Sequence, residues 1–283
     1  MIHRTARRCA VLGSPIGHSL SPALHRAAYA EVGLDWTYDA CEVREADLAR
    51  FLDSLDERWR GLSLTMPLKR SVVPLVDELS ERAAQAQAAN TLIMEAGRRV
   101  GHNTDIPGAA RAIAAKVPAP VGRAVILGGG ATATSTLLAL ADLGCSAVTL
   151  VVRDAARAAE AVAAAGRHPD PPDVDVSGFD ATPVDADLLV STIPATAQGA
   201  LAVPWAGHVP AIFDVIYDPW PTPLAMLATA RGMTLVSGLE LLVNQAADQF
   251  TLMTGIEEAP VQAMREAGER VLAQRRPQNR AGA

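Results

Sequence analysis

The chain of 283 residues is 49% hydrophobic and 20% charged, enough apolar material for about two ordinary cores and unlike a disordered polymer. Its net charge of −6 argues against general affinity for nucleic acid or an anionic membrane surface. Three scattered cysteines (Cys9, Cys41 and Cys145) frame neither a disulfide set nor a zinc site, so no metal is expected. The N-terminus is basic (His3, Arg4, Arg7, Arg8), but the apolar stretch behind it, residues 10–12, is far too short for a signal peptide. No apolar run approaches the roughly 20 residues of a membrane span, and with unpaired thiols this points to the cytoplasm.

In the first third short strands and helices alternate. Residues 9–12 read as a strand, followed by a loop to residue 20. Ser21 and Pro22 read as a helix start, Ser at the N-cap and Pro at the first helical position, with the helix running to Val32 and stopping at Gly33. Residues 38–43 form a second strand, 45–55 an amphipathic helix, and 61–65 a third strand broken by Pro67. A helical stretch covers 80–88, and 91–94 with 99–101 form a hairpin around Gly97. In the middle, residues 123–127, 147–152, 188–191, 212–216 and 234–236 are short, rich in Val, Ile and Leu, and without period-two alternation, as strands covered on both faces should be. Helices at 131–143, 155–164 and 222–230 lie between several of them, an alternation that argues for a parallel, doubly wound sheet. Residues 166–178 read as a surface loop or an irregular strand approach. Helices at 238–253 and 259–273 close the chain, and the tail from Arg275 lacks periodicity and is expected to fray.

The fold class is therefore α/β with two domains. A discontinuous N-terminal substrate domain (residues 1–105) is completed by C-terminal helices (239–283), and a Rossmann-type domain spans 106–238. The strand 125–127 runs straight into Gly128, Gly129 and Gly130, then Ala131, Thr132 and Ala133, matching G-x-G-x-x-A in a strand–turn–helix context. Gly128 permits the tight turn, Gly130 lets the backbone approach a pyrophosphate, and the helix N-terminus offers unpaired N–H groups to the anion. Three successive glycines also make ordinary turns, so the strand–turn–helix setting carries the inference. The second strand ends at Arg153, placed to pair with a ribose 2′-phosphate, with Arg157 one turn on. Asp154 beside it would repel that phosphate or grip a free 2′-hydroxyl, unless it serves only as the cap of the next helix. NADP is the expected cofactor, with NAD the alternative.

Four polar clusters lie outside this fingerprint: residues 14–22, rich in hydroxyls; Ser63 to Lys69; Asn90-Thr91; and Gly101 to Asp105. Each has an ordinary explanation as a cap or a turn. Lys69 and Lys116 are the two lysines of an arginine-rich chain, and lysine, unlike arginine, can release a proton near neutral pH when desolvated.

Taken in order, these clusters resemble the shikimate dehydrogenase family along nearly the whole chain. Gly13 to Pro22 is similar to its G-x-P-I-x-H-S-x-S-P signature and Ser63 to Lys69 to N-V-T-x-P-x-K, with Ser63 in place of Asn. Asn90-Thr91 and Gly101 to Asp105 match N-T and G-x-N-T-D. Gly238, Gln245, Ala246 and Phe250 match a C-terminal G-x-x-x-L-x-x-Q-A-x-x-x-F, and Tyr217, Pro219, Thr222 and Leu224 a Y-x-P-x-x-T-x-L loop. The resemblance implies that Ser19 and Ser21 hold a substrate carboxylate, with Tyr217 near it. It implies that Thr65, Asn90 and Gln245 bind ring hydroxyls and that Lys69 and Asp105, also in contact with substrate, form the catalytic pair. Gly128, Gly129, Gly130, Ala131, Thr132 and Arg153 would hold the cofactor, with Gly238 beside the nicotinamide. Arg26 stands where the family usually has Asn, Val152 and Asp154 stand where NADP-binding members tend to show Asn and Thr, and residues 191–194 replace an N-A-T-S-like stretch.

The implied activity is reversible reduction of 3-dehydroshikimate to shikimate by hydride transfer from NADPH, a step in aromatic amino-acid precursor synthesis. Quinate or aminoshikimate dehydrogenase is the near alternative. A methylene-folate-type dehydrogenase is a more distant one, against which the serine loop, Asn90 and Asp105 argue. A non-catalytic ligand-sensing regulator of the same fold is the remote one. Partners are expected to be the small-molecule substrate alone, with no nucleic acid or membrane, in a monomer or homodimer.

Overall fold

The computed structural model describes residues 6–280, with side chains through Arg275; His3 and Arg4 of the basic N-terminus lie outside the described residues. The chain divides into two compact units, one gathering everything up to Thr104 with everything from Leu242 onward, the other Asp105–Leu241. Asp105 and residues 239–241 thus group with the second unit. Asp105 is the first residue of a helix belonging to that unit.

In the first unit β1 (Arg8–Gly13) leads through a loop to α1 (Ser21–Glu31) and β2 (Thr37–Glu42). A 3-10 turn, Glu45–Asp47, runs into α2 (Leu48–Asp53), then come β3 (Trp59–Leu64) and the single turn α3 (Leu68–Ser71). β4 (Glu78–Leu79), α4 (Glu81–Ala86), β5 (Thr91–Glu95) and β6 (Arg98–His102) follow. The sheet order is β2-β1-β3-β5-β6-β4. β5 runs against both its neighbours, and every other pair is parallel. Leu12, Leu62, Leu64 and Leu92 share one core cluster with Leu48 and Leu52, which α2 presents one turn apart. Because β5 is reversed, its first residues lie at the same sheet edge as the last residues of β1, β3 and β6. The loops after those three strands and the entry to β5 therefore converge on one crest.

The second unit opens with α5 (Asp105–Lys116), then β7 (Arg123–Leu127), α6 (Ala131–Asp142) and β8 (Ala147–Val151). A 3-10 turn, Ala155–Ala158, precedes α7 (Ala159–Gly166), β9 (Asp173–Ser177) and β10 (Leu188–Ser191). α8 (Ala195–Leu201), β11 (Ala211–Asp214), α9 (Pro223–Ala230) and β12 (Thr234–Ser237) complete the sheet. Its strands are all parallel, in the order β9-β8-β7-β10-β11-β12, the doubly wound Rossmann arrangement, in which the winding reverses between β7 and β10. β7, β10 and β11 are buried nearly throughout, which explains their unbroken apolar character.

Two helices end the described chain. α10 (Gly238–Thr254) opens in the second unit and passes into the first, and α11 (Val261–Arg280) packs against α1. The far end of α10 lies tight on β3. A β-carbon on Gly61 would stand 2.6 Å from Met253 Cγ, and the Arg60 guanidinium donates to the carbonyls of Met253 at 2.9 Å and Met94 at 2.9 Å.

Several elements differ from the sequence reading. α1 is capped at Leu20 rather than Ser21, because the Leu20 carbonyl already accepts from the N–H groups of Ala23 and Leu24. The helices read at 45–55 and 155–164 each open as 3-10 turns. β9 forms in the stretch read as irregular; it is an edge strand paired only with β8, so its Asp-Val alternation lacks the apolar signal of the interior strands. α3, β4 and α8 are too short to show a period. α11 continues through Arg275 to Arg280 rather than fraying there. Among the described residues no helix is long and apolar enough to cross a membrane, and no cluster of potential metal ligands occurs.

Candidate active site

The crest of the first unit carries most of the polar residues singled out by sequence. The turn after β1 is tied to the turn after β3: Ser14 N–H donates to the Met66 carbonyl at 3.0 Å and Thr65 N–H to the Leu12 carbonyl at 2.9 Å. Gly13 is required there, since a β-carbon would overlap the Thr65 methyl. Ser19 Oγ accepts from Ser21 N–H at 3.3 Å, which sets the two serines side by side at the start of α1; Ser19 is half-buried and Ser21 buried. Lys69 sits half-buried in α3, and its carbonyl accepts from Ala89 N–H at 2.8 Å, which brings the Lys69 backbone next to Asn90. Arg26, in the position where the family has Asn, points away into an exposed pairing with the Tyr38 carbonyl and Asp39.

Asn90 is 2% exposed and its amide is fully assigned by its neighbours. Its Oδ1 accepts from Thr104 N–H at 2.8 Å and from the Thr91 hydroxyl at 2.9 Å. Its Nδ2 donates to Thr104 Oγ1 at 2.9 Å and to Gln245 Oε1 at 3.1 Å. Acceptors and donors on both sides leave one orientation for the amide. Sequence reasoning missed what lies behind it. Gln249 donates to the Asn90 carbonyl at 3.1 Å and to Thr91 Oγ1 at 3.0 Å. Its Oε1 accepts from Ser63, whose hydroxyl accepts in turn from Tyr38. His25 Nε2 lies 3.4 Å from the same Oε1, and the imidazole stacks on the Tyr38 ring with centroids 4.1 Å apart. Burial of His25 lowers its pKa to about 4, so the ring is neutral at pH 7. The signal available in the sequence was spacing: Gln245 and Gln249 stand four apart on one face of α10.

In the second unit Asp105 is a buried carboxylate, 5% exposed, at the first position of the twelve-residue helix α5, where the helix dipole favours negative charge. The turn after β7 lies at the reversal point of the sheet. Gly128 adopts φ +112°, a left-handed conformation that favours glycine, and a β-carbon there would overlap the Thr192 hydroxyl. Thr192 donates its N–H and its hydroxyl to the Leu127 carbonyl at 3.0 and 2.8 Å, a role for the 191–194 stretch that the sequence did not suggest. A β-carbon on Gly129 would overlap the Arg157 carbonyl, whereas the space beside Gly130 is open. Gly130 is also the N-cap of α6 and supplies no side-chain cap to it, so the first turn of that helix opens beside unfilled space. That arrangement fits a dinucleotide pyrophosphate. Arg153 is exposed beyond β8, and the Asp154 carboxylate accepts from Ala156 N–H at 3.0 Å as an N-cap, so the capping explanation of Asp154 holds.

One further hub was not foreseen. Asp214, at the end of β11, is fully buried; burial pushes its carboxyl above the usual range, while bonds from Thr222, Ile216 and Gln198 pull the other way. Gln198 Nε2 donates to its two oxygens at 3.1 and 3.0 Å, the Thr222 hydroxyl to Oδ2 at 2.5 Å, and Ile216 N–H to Oδ1 at 3.2 Å. The loop so held carries Tyr217. Gly238 lies against the same loop, so close that a β-carbon would overlap the Val215 carbonyl. Ser19, Ser21, Thr65, Lys69, Asn90 and Gln245 thus belong to the first unit, and Asp105, Gly128–Thr132, Arg153, Tyr217 and Gly238 to the second.

Fold and local geometry together define a two-domain α/β protein with a Rossmann-type unit, the class of the dinucleotide-dependent oxidoreductases. Comparison with known proteins narrows this. Residues 11–92 match the family model described as the shikimate dehydrogenase substrate binding domain, and 238–267 that of the shikimate 5'-dehydrogenase C-terminal domain. A curated relative, shikimate dehydrogenase (NADP(+)) of Moorella thermoacetica, is 37% identical over 266 residues, covering 90% of each chain. The crystal structure of Mycobacterium tuberculosis shikimate dehydrogenase superposes with a TM-score of 0.84 at 38% identity, covering 93% of this chain and 99% of that one. That of the Thermus thermophilus enzyme in complex with NADP(H) and shikimate gives 0.81 at 31% identity, covering 94% and 100%. The chain belongs to the shikimate dehydrogenase family.

Proposed function

We propose that the protein is an NADP-dependent shikimate dehydrogenase that interconverts 3-dehydroshikimate and shikimate. The observation that carries the substrate side is the locked amide pair, Asn90 Nδ2 to Gln245 Oε1 at 3.1 Å, on a crest that also carries Thr65, Lys69 and the serine pair. A rigid set of donors and acceptors suits a ring bearing several hydroxyls, because a site built to hydrogen-bond hydroxyls rejects analogues that lack them. Ser19 and Ser21 take the carboxylate, and Thr65, Asn90 and Gln245 take the ring hydroxyls, which replace the hydrogen bond that Asn90 and Gln245 make to each other; Tyr217 is the carboxylate contact proposed for the second unit. The first unit, with Asp105 following it, is the substrate and catalytic domain, and the second holds the cofactor.

NADPH, when bound, supplies the hydride. Gly128, Gly129, Gly130, Ala131 and Thr132 would hold its pyrophosphate through main-chain N–H groups, Arg153 would take the 2′-phosphate, and Gly238 would lie beside the nicotinamide. The Asp154 carboxylate caps the turn at Ala155–Ala158, and the exposed Arg153 beside it is the group that would select NADP. As negative charge builds on the ketone oxygen, the Lys69 ammonium stabilises it and gives it a proton; in the reverse direction Lys69 takes the proton back. Asp105 is the second member of the proposed catalytic pair. A cytoplasmic location agrees with three free thiols.

The test is steady-state turnover of shikimate, quinate and aminoshikimate with NADP+ and with NAD+. Shikimate with NADP+ is expected to give the highest kcat/KM. A preference for quinate or aminoshikimate would reassign the substrate, and absence of turnover with every pair would favour a sensor over an enzyme.

A further inference from the structure

We infer that Asp214 is a positioning residue for the substrate-carboxylate grip, acting through the loop that carries Tyr217. The inference rests on the reading of Tyr217 given above. Its geometric basis is that one carboxylate clamps both ends of one loop. Oδ1 accepts from Ile216 N–H at 3.2 Å where the chain leaves β11, and Oδ2 accepts from the Thr222 hydroxyl at 2.5 Å where it enters α9. Tyr217 lies between these two anchors.

The clamp is braced from the side. Gln198 Nε2 bridges both carboxylate oxygens and also reaches Ser191 Oγ at 3.3 Å, while Gln198 Oε1 accepts from Leu224 N–H at 3.3 Å. Thr222 Oγ1, besides donating to Asp214, accepts from Ala225 N–H at 3.0 Å and so caps α9. Asp214, Gln198 and Thr222 are all at most 1% exposed. Every group facing the carboxylate is a donor, which is why a carboxylate rather than an amide is needed: an Asn would turn its own NH2 against Gln198, Thr222 or Ile216. Gly238, the residue read as lying beside the nicotinamide, packs on Val215 of this same loop. The carboxylate therefore fixes the shared support of a substrate contact and a cofactor contact without touching either ligand.

The test is a double-mutant cycle read as the KM for shikimate, on the full-length protein with saturating NADP+. Asp214→Asn and Tyr217→Phe are each expected to raise KM about tenfold, with kcat changed far less. If Asp214 acts through Tyr217, adding Asp214→Asn to Tyr217→Phe raises KM no further. Should the two effects multiply, the inference is overturned while the reading of Tyr217 stands. If Tyr217→Phe alone leaves KM unchanged, the reading of Tyr217 fails and the inference falls with it. Thr222→Val, which removes one arm of the clamp, takes the place of Asp214→Asn in the cycle if that variant does not fold. Thr222→Ser, which keeps the hydroxyl, is expected to restore the parent KM, and failure of that rescue alongside an additive Thr222→Val would also overturn the inference.

Discussion

At the strand ends of the first unit, side chains are held by other side chains: Asn90 is gripped by Thr91, Thr104 and Gln245 and backed by Gln249, Ser63 and Tyr38. At the strand ends of the second unit, Gly128, Gly129 and Gly130 present main chain alone, and two of the three lie where a β-carbon would collide with a neighbour. The difference follows from what each crest is read to hold. A pyrophosphate is met by N–H groups that every residue carries, so that site is made by removing side chains. A polyhydroxylated ring must be told apart from its relatives, so that site is made by fixing side chains from behind. The first kind should be intolerant of added atoms, the second of lost hydrogen bonds.

The largest expected effect falls on the one cation given a chemical task. Lys69→Ala is expected to lower kcat by about 10²–10⁴-fold with shikimate affinity largely kept; near-normal turnover would remove Lys69 from the chemistry. Gly128→Ala tests the intolerance of the second crest. The left-handed backbone and the overlap with Thr192 should together cost about 2–3 kcal/mol, read in denaturant unfolding, whereas Gly130→Ala, facing open space, should leave stability nearly unchanged and raise the KM for NADP+ instead.

The buried network of the first crest can be probed by pH. His25 has a folded pKa of about 4, below its unfolded value of 6.5, so the unfolded chain binds the extra proton between these values. Its contribution is fully present above pH 6.5 and is lost as pH falls toward 4, amounting to about 2 kcal/mol between about pH 8 and pH 5. Chemical denaturation at the two pH values should show that loss for the parent and a smaller one for His25→Phe. The smallest effect concerns cofactor choice: Arg153→Ala should reduce the preference for NADP+ over NAD+ about tenfold, and an unchanged ratio would place the 2′-phosphate elsewhere.

The crests were unequally legible in the sequence. Gly128 to Ala133 could be read because a buried parallel strand is apolar throughout and the glycines that follow it are a local pattern. Ser19, Ser21, Thr65, Lys69 and Asn90 could be singled out as a polar conjunction, and only resemblance gave them roles. Gln249 and Asp214 stayed hidden, since a Gln on an amphipathic helix or an Asp at a strand end looks like any solvated polar residue until its distant partners are placed: Gln249 meets His25 across 224 positions and Ser63 across 186. Residue type points to Ser21 as the cap, whereas the cap is set by which carbonyl first accepts, and that is Leu20.

The return of the chain to complete its first unit bears on biosynthesis. A ribosome releases β1 to β6 early, yet α11, which lies on α1, and Met253, which fills the space over Gly61, come only after the whole second unit has been made. At roughly 5–20 residues per second that interval is about 10–30 s. During it the contacts of α1 with α11 and of Gly61 with Met253 cannot yet form, so the first unit closes only after the second has been synthesised.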